Sequence, residues 1–325
     1  MEEVLVSIIC ITYNHEKYIQ KCLDGFIAQK TNFKFEVLVH DDASTDGTVK
    51  IIQSYQTKYP DVIKLFCEEE NQYSKGKYQI DKSLFPHVRG KYVAYCEGDD
   101  FWCDQNKLQR QFDILESNLN CTISVHRTQK VDVNGNELHA IIEPGQIEPG
   151  IVNGAKFLEF FLQGTGMPFQ TSSFFMRSNL VLEDRAAFED VFHVSDVPTL
   201  LWVSAVGDLY YDYPVMSCYR VATPGSTNDL MKEKKYAIDK IHANIEGYKA
   251  FDKATDHKYW KYMKHRVAYY VYQYYYATKD SAYKTELKEL KKELSMPEKI
   301  KARVKYTRFG NFLRNKKACI KLLKK

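Results

Sequence analysis

No run of 18 apolar residues occurs in the 325-residue chain, so no membrane-spanning helix is expected. Neither G-x-G-x-x-G nor G-x-x-x-x-G-K is present, which excludes the dinucleotide-binding fingerprint and the phosphate loop of nucleoside triphosphatases. The nine histidines show no metal-ligand spacing, and the eight cysteines (positions 10, 22, 67, 96, 103, 121, 218 and 319) include no C-x-x-C pair. A zinc module and a disulfide scaffold are therefore not expected. Several cysteines sit in apolar runs and read as reduced, packed thiols of a cytoplasmic protein. The opening Met1-Glu2-Glu3-Val4 is acidic and leads straight into a strand-like segment, so it is not expected to be a signal peptide. No nucleic-acid-binding module is recognised, and nucleic acid is not an expected partner.

What is present is mostly ordinary globular material. Hydrophobic residues make up 44% and charged residues 27%. The length suits one large domain or two smaller ones. Aromatics reach 14%, through 24 tyrosines and 18 phenylalanines, and read as half-buried surfaces. The net charge of +4 hides an asymmetry: residues 295–325 carry eleven lysines and arginines against one acid, leaving a mildly acidic body. In that basic segment Phe309, Phe312, Leu313, Ile320 and Leu323 fall at helical spacing between cations.

Residues 4–11 form a nearly continuous β-branched run, the pattern of a strand covered on both faces. A helix capped near Asn14 should follow, with Tyr18, Cys22 and Phe26 on one stripe and Ile19, Leu23 and Ile27 beside it. Residues 35–40 make a second strand, and Asp46 caps the helix after it, which Pro60 closes. Val62–Phe66 and Tyr92–Cys96 are further strands, separated by a loop over 68–77 and a short helix to Phe85. Such alternation implies right-handed crossovers and a mainly parallel sheet. From Cys121 the pattern is less regular: an Asn-Gly hairpin signal at Asn134-Gly135, a helix over 154–163, and strands at Thr171–Met176, Leu209–Tyr211 and Val215–Tyr219. From about residue 232 the chain is helical. The expected division is 1–228, as halves 1–118 and 119–228, followed by a helical, basic region 229–325.

Polar clusters follow three of the strands: Thr12-Tyr13-Asn14, Asp41 to Asp46, and Glu97-Gly98-Asp99-Asp100. In open α/β sheets ligands bind outside the carboxyl ends of the strands, so these clusters are placed to converge. Three carboxylates within four residues repel one another and raise each other's pKa unless a cation or donors sit among them. A hard divalent cation resolves the repulsion, and such a cation attracts phosphate. The plainer reading is an acidic turn that starts the next helix.

Taken in order, Val6-Ser7-Ile8-Ile9-Cys10-Ile11-Thr12-Tyr13-Asn14, Val39-His40-Asp41-Asp42-Ala43-Ser44-Thr45-Asp46-Gly47-Thr48 and Glu97-Gly98-Asp99-Asp100-Phe101-Trp102 resemble the family 2 inverting glycosyltransferases. The resemblance covers roughly residues 4–225. It implies a GT-A-like, Rossmann-type fold with a mainly parallel central sheet flanked by helices. It also implies a nucleotide-diphospho-sugar donor, UDP-linked, with Mn2+ or Mg2+ as cofactor and a saccharide or lipid-linked saccharide as acceptor. At matching positions, Thr12, Tyr13 and Asn14 would border the nucleoside, and Asp41 and Asp42 would face the base. Glu97, Asp99 and Asp100 would form the D-x-D element, with Asp100 as the first metal ligand and Glu97 in place of the more usual Asp. Phe101 and Trp102 would wall the sugar site, Trp102 dividing between packing and ligand contact. Asn71, Ser74 and Lys75 lie in a loop within reach of the nucleotide.

The general base of this family is a carboxylate about a hundred residues on, which maps onto Asp196 in Val194-Ser195-Asp196-Val197-Pro198. Ser195 stands where the family has an acid. Asp196 also suits a helix cap, and His193 reads as structural. Tyr219-Arg220-Val221-Ala222 resembles a Tyr-Arg segment of the family, with Ala222 where a His is usual. The basic tail fits an amphipathic helix on an anionic membrane surface, at about 1 kcal/mol per basic residue, and also fits a solvated end. The first would place the enzyme on the inner face of the membrane, in cell-surface polysaccharide synthesis. The departures at Glu97 and Ala222 leave open a non-catalytic nucleotide-sugar-binding or scaffold protein.

Overall fold

The computed structural model describes residues 3–76, 80–164, 166–182, 187–224 and 230–295. The basic tail, and the membrane helix expected in it, lie outside the described residues.

Four strands, β1 (Val4–Thr12), β2 (Lys34–Asp41), β3 (Ile63–Cys67) and β4 (Tyr92–Tyr95), pair in parallel in the order β3-β2-β1-β4. Helices α1 (Ile19–Ile27) and α2 (Thr48–Lys58) and a 3-10 segment, Ile80–His87, form the crossovers. Beyond a two-residue strand β5 (Phe101–Trp102) and helix α3 (Lys107–Ser117), the chain adds β6 (Cys121–Val131), β7 (Glu137–Ile142) and β8 (Gly150–Val152). Helix α4 (Gly154–Gln163), β9 (Phe175–Arg177), α5 (Asn179–Leu182), α6 (Asp196–Val206) and β10 (Asp208–Arg220) follow. The ten-stranded sheet runs β3-β2-β1-β4-β9-β6-β10-β5, with β7 on β6 and β8 on β10. Strand β9 is antiparallel to both β4 and β6, while β10 runs parallel to β6. The purely parallel part is thus the first half, and the second half is mixed. Three helices, α7 (Lys234–Ala254), α8 (Trp260–Thr278) and α9 (Ser281–Glu293), complete the described chain.

The continuous apolar runs are explained by two cores, one on each face of the sheet. Val6, Ile8 and Cys10 of β1, Val37 and Val39 of β2, and Tyr92 and Ala94 of β4 face α1, α2 and α3. The alternate residues, Ile9, Leu38, Val93 and Tyr95, face the opposite core, where α4 and α6 meet α7, α8 and α9. Side chains alternate across a strand, so both parities must be apolar when both faces are covered. Each fully buried Ile or Leu contributes on the order of 1.5–3 kcal/mol.

Three local expectations change. Helix α1 starts at Ile19, not at Asn14, and Tyr18 at its N-cap position makes no side-chain cap bond. Asn14 instead adopts a left-handed φ of 54°, and its side-chain Oδ1 accepts from the Thr45 N–H at 2.8 Å. The pieces expected at 209–211 and 215–219 are one strand, β10, whose register on β6 shifts between Asp212 and Val215. Pro214 lies in that gap and has no N–H to give the ladder. Thr171–Ser173 forms a 3-10 turn, and the strand begins only at Phe175.

Candidate active site

The carboxyl rim of the parallel half is built by short bonds between successive strand ends. Asp42 N donates to Thr12 O at 3.0 Å, and Gly98 N donates to Ile11 O at 2.9 Å. This brings the first, second and third polar clusters side by side. Gly98 must lack a side chain, because a Cβ there would lie 2.7 Å from Thr12 Oγ1 and 3.0 Å from His15 Nδ1. Asn14, Ala43 and Ala222 all hold left-handed φ, at 54°, 63° and 63°. Non-glycine residues adopt this region at some cost, and they concentrate at functional loops.

Within the rim, Thr12 is buried, with its hydroxyl 3.1 Å from His15 Nδ1, and Tyr13 stands 40% exposed. Asn14 N donates to Ser44 Oγ at 2.8 Å, tying the first loop to the second. Asp41 is fully buried and accepts from Ser44 N and Ser44 Oγ, which makes the turn. Asp42 is also fully buried; its two oxygens accept from Gln72 N at 2.7 Å and Tyr73 N at 3.0 Å. Its carboxylate shapes the loop over 71–75. Asn71 Nδ2 adds a bond to Asp42 O at 3.1 Å, and Ser74 N donates to Asn71 Oδ1 at 2.6 Å. Lys75 pairs with Glu70. Trp102 takes the packing role of the two expected for it. It is 3% exposed, sits edge-on to Phe26 at 4.8 Å and donates its indole N–H to Ser172 O at 3.0 Å. The antiparallel pairing of β5 with β10 carries the ring into the core.

The acidic turn is different in kind. Asp100 is buried and accepts from Arg220 N at 2.8 Å, yet burial, then Asp99 and Glu97, push its pKa well above the ordinary value. Glu97 is pushed up to about 8, by burial first and then by Asp99, with Asp196 adding to the effect. Its Oε2 is buried without a hydrogen-bond partner. The Arg220 guanidinium donates to the carbonyl of Asp99 and stacks on Tyr18 at 4.7 Å and Phe101 at 5.2 Å. Among the described residues no three side chains are already arranged as a metal cage. The donor chemistry nevertheless suits a hard divalent cation: buried carboxylate oxygens, one of them orphaned, crowded by like charge.

Asp196 opens α6, where its Oδ1 accepts from Val197 N at 2.7 Å. Burial raises its pKa, Lys240 of α7 opposes that, and Asp81 reinforces it. Asp81 is buried in the 3-10 segment before β4 and accepts the hydroxyl of Ser195 at 2.7 Å. Ser195, where the family resemblance implies an acid, is thus hydrogen-bonded to one from the other half of the chain. His193 is half-buried, and burial lowers its pKa. Asp81, Lys240 and the contacts of Arg220 were not anticipated from the sequence. The only hint was Arg220 within its Tyr-Arg segment. The seven described cysteines are free thiols.

A parallel 3-2-1-4 half-sheet with acids along its carboxyl rim, continued into a mixed half, defines a GT-A-like α/β protein. The chain belongs to glycosyl transferase family 2, whose model matches residues 7–185. It is similar to an uncharacterized protein of Mycobacterium tuberculosis, 39% identical over 130 residues, which is 40% of this chain and 37% of that one. It is also similar to UDP-Glc:alpha-D-GlcNAc-diphosphoundecaprenol beta-1,3-glucosyltransferase of Escherichia coli, 32% identical over 119 residues, covering 36% of this chain and 44% of that one. The aligned part is thus about two fifths of the length of these relatives. In fold it resembles a mannosyltransferase from Pyrobaculum calidifontis solved with GDP-Man and Mn2+, at TM-score 0.54 and 18% identity over 93% of this chain and 79% of that one. No helix among the described residues is long and apolar enough to cross a membrane.

Proposed function

We propose that this protein is an inverting glycosyltransferase. It moves a sugar from a UDP-linked donor to a hydroxyl of a saccharide or lipid-linked saccharide, in the assembly of a cell-surface polysaccharide. The observation that carries the reading is the Glu97-Gly98-Asp99-Asp100 turn, in which Asp100 is buried among like charges and Glu97 keeps a buried, unpartnered carboxylate oxygen. The lipid-linked acceptor and UDP donor in the name of the Escherichia coli relative support the substrate class. The Mn2+ bound with GDP-Man in the structural neighbour supports the cofactor.

In this reading Asp100, Asp99 and Glu97 would hold Mn2+ or Mg2+. The cation, when bound, neutralises charge developing on the leaving diphosphate as a Lewis acid. Thr12, Tyr13 and Asn14 border the nucleoside. Asp41 and Asp42 act on it by fixing the loops beside it. Asp196 takes the proton of the attacking hydroxyl as the new bond forms, a contribution on the order of 10²–10⁴-fold. Attack from the face opposite the leaving group inverts the anomeric centre. Burial and Asp81 keep this carboxylate basic. Residues 1–118 serve as the donor half and 119–228 as the acceptor half, followed by the helical region 229–325, whose basic C-terminal tail associates with an anionic membrane surface.

A thermal-shift screen of nucleotide sugars with and without Mn2+ tests the proposal. A UDP-sugar is expected to raise the melting temperature only when Mn2+ is present. No response to any nucleotide sugar would overturn the donor assignment. A response without turnover would favour a non-catalytic binding protein.

A further inference from the structure

We propose that Tyr236, in the first turn of the C-terminal helix α7, is a positioning residue for the nucleotide-sugar donor. Its hydroxyl bond to Tyr73 holds the loop over 71–75 at the edge of the nucleotide site. This role rests on the reading of the strand rim as a donor site.

The loop belongs to the same rim as the polar clusters. Glu68 N donates to Asp41 O at 2.9 Å, so the chain leaving β3 runs on beside the end of β2. Asn71 Nδ2 reaches Asp42 O at 3.1 Å, and the Asp42 carboxylate takes the N–H groups of Gln72 and Tyr73. Asp42 N in turn donates to Thr12 O at 3.0 Å, next to the partly exposed Tyr13. The loop backbone is thus bonded into the first two clusters. The turn itself is slight. Tyr73–Lys75 is a three-residue 3-10 turn that ends at Gly76, in the left-handed region at φ 84°, and Ser74 and Lys75 are exposed. A turn this short has little stability of its own.

Tyr73 joins this turn to α7. Its hydroxyl lies 2.5 Å from that of Tyr236, 163 residues on, and the two rings sit 6.2 Å apart. The partners differ in rigidity. Helix α7 is fixed along its length: Ile241, Ile245 and Phe251 are buried in the second core, Arg266 Nη1 donates to Tyr248 Oη at 2.6 Å, and Lys249 pairs with Glu286 of α9 at 2.9 Å. Gly247 sets bare helix backbone against the Phe192 ring. Tyr236 lies eleven residues before Gly247, close to three full turns, so both stand on one face about 16 Å apart. The helix is therefore the fixed partner, and the loop is what it holds. A hydroxyl bond is directional and sets where the turn sits, whereas ring contact alone would let it slide. A loop ordered beforehand binds a nucleoside more tightly than one that must be ordered on arrival. Tyr236 thereby adds to donor affinity without touching the reacting atoms.

The test uses the full chain, UDP with Mn2+ in titration calorimetry, and the UDP-sugar that gives the largest Mn2+-dependent thermal shift. Tyr236→Phe keeps the ring and removes the hydroxyl. It is expected to weaken UDP binding and raise donor KM by about three- to tenfold, with kcat within about twofold of the parent. Tyr73→Phe removes the same bond from the loop side and is expected to match it. The double variant is expected to bind no more weakly than either single one, because the bond can be lost only once. Amide hydrogen exchange, which needs no substrate, is expected to quicken over residues 71–76 in both single variants. Unchanged UDP affinity in the two single variants would overturn the role, reduce the contact to a brace of the fold, and leave the donor reading intact. Additive losses in the double variant, kcat falling at constant KM, or unchanged exchange over the loop would overturn it too. If the parent binds neither UDP nor a UDP-sugar, the donor reading itself fails, and the role of Tyr236 with it.

Discussion

The two ends of the four parallel strands treat their buried acids in opposite ways. At the amino end Glu36, fully buried, accepts from Ser7 Oγ at 2.7 Å, Lys64 Nζ at 2.9 Å and Arg89 Nε at 2.9 Å. Burial alone would raise its pKa, but Arg89, Lys64 and Ser7 together hold it lowered. At the carboxyl end Asp100 is buried and Glu97 half-buried, each with few donors, and both are raised. The first acid is complete within the protein and fastens β1, β2 and the turn before β4. The second pair has fewer partners within the protein, and in the proposed reading a divalent cation completes it. Acidic residues on one sheet can be scaffold or site, and their partners decide which.

The contrast would break first at Asp196. Asp196→Asn is expected to cut transfer by about 10²–10⁴-fold while nucleotide binding survives, measured by turnover beside calorimetry with UDP. Retained turnover would remove Asp196 from its role. Next, Asp100→Asn should abolish the Mn2+-dependent thermal shift, whereas Glu36→Gln should preserve it. That second variant should instead cost about 1–3 kcal/mol in urea unfolding, because it weakens bonds inside the scaffold. If both substitutions acted alike, the distinction between the two ends would be lost.

The pH dependence should separate the ends as well, by a smaller margin. Glu36 has a lowered folded pKa, so its contribution is present above the unfolded value of about 4.3 and is lost as pH falls through the folded one. Glu97 is raised to about 8. Between its unfolded pKa of about 4.3 and about 8 the folded state binds the extra proton, so its contribution declines as pH rises. Without divalent cation, melting temperature should therefore drift down from about pH 5 to about pH 8, and Mn2+ should stabilise more at pH 8 than at pH 6. Equal stabilisation at both values would argue that the cation does not bind at Glu97 and its neighbours.

Much of this was legible in the sequence where the signal is local. Strand parity, the rim clusters and the Asn134-Gly135 hairpin are each written in a few consecutive residues. What escaped depends on residues that meet only after the sheet is assembled. Asp81 reaches Ser195 across the two halves, and Arg220 reaches Asp100 because β10 runs out beside β5. Lys240 comes from a helix whose own sequence reads only as Lys- and Tyr-rich. Trp102 was ambiguous for the same reason. A bulky residue after an acidic turn can point either way, and a two-residue strand paired with a distant one decided it. Asn14 looked like a cap because Asn is a good one, but its amide found Thr45 in the neighbouring loop first.

Gly247 gives the fold an unusual point of leverage. A methyl group there would lie 2.4 Å from Phe192 Cε2 and 2.6 Å from Cδ2. The ring has little retreat, being walled by Phe188 and Tyr248, so the helix would have to lift. A tilt begun at that fulcrum would grow along the helix toward Tyr236 and strain its hydroxyl bond to Tyr73 beside the donor loop. An alanine far from any substrate would then behave as an active-site lesion, and the size of a single hydrogen atom would set the reach of the whole C-terminal bundle.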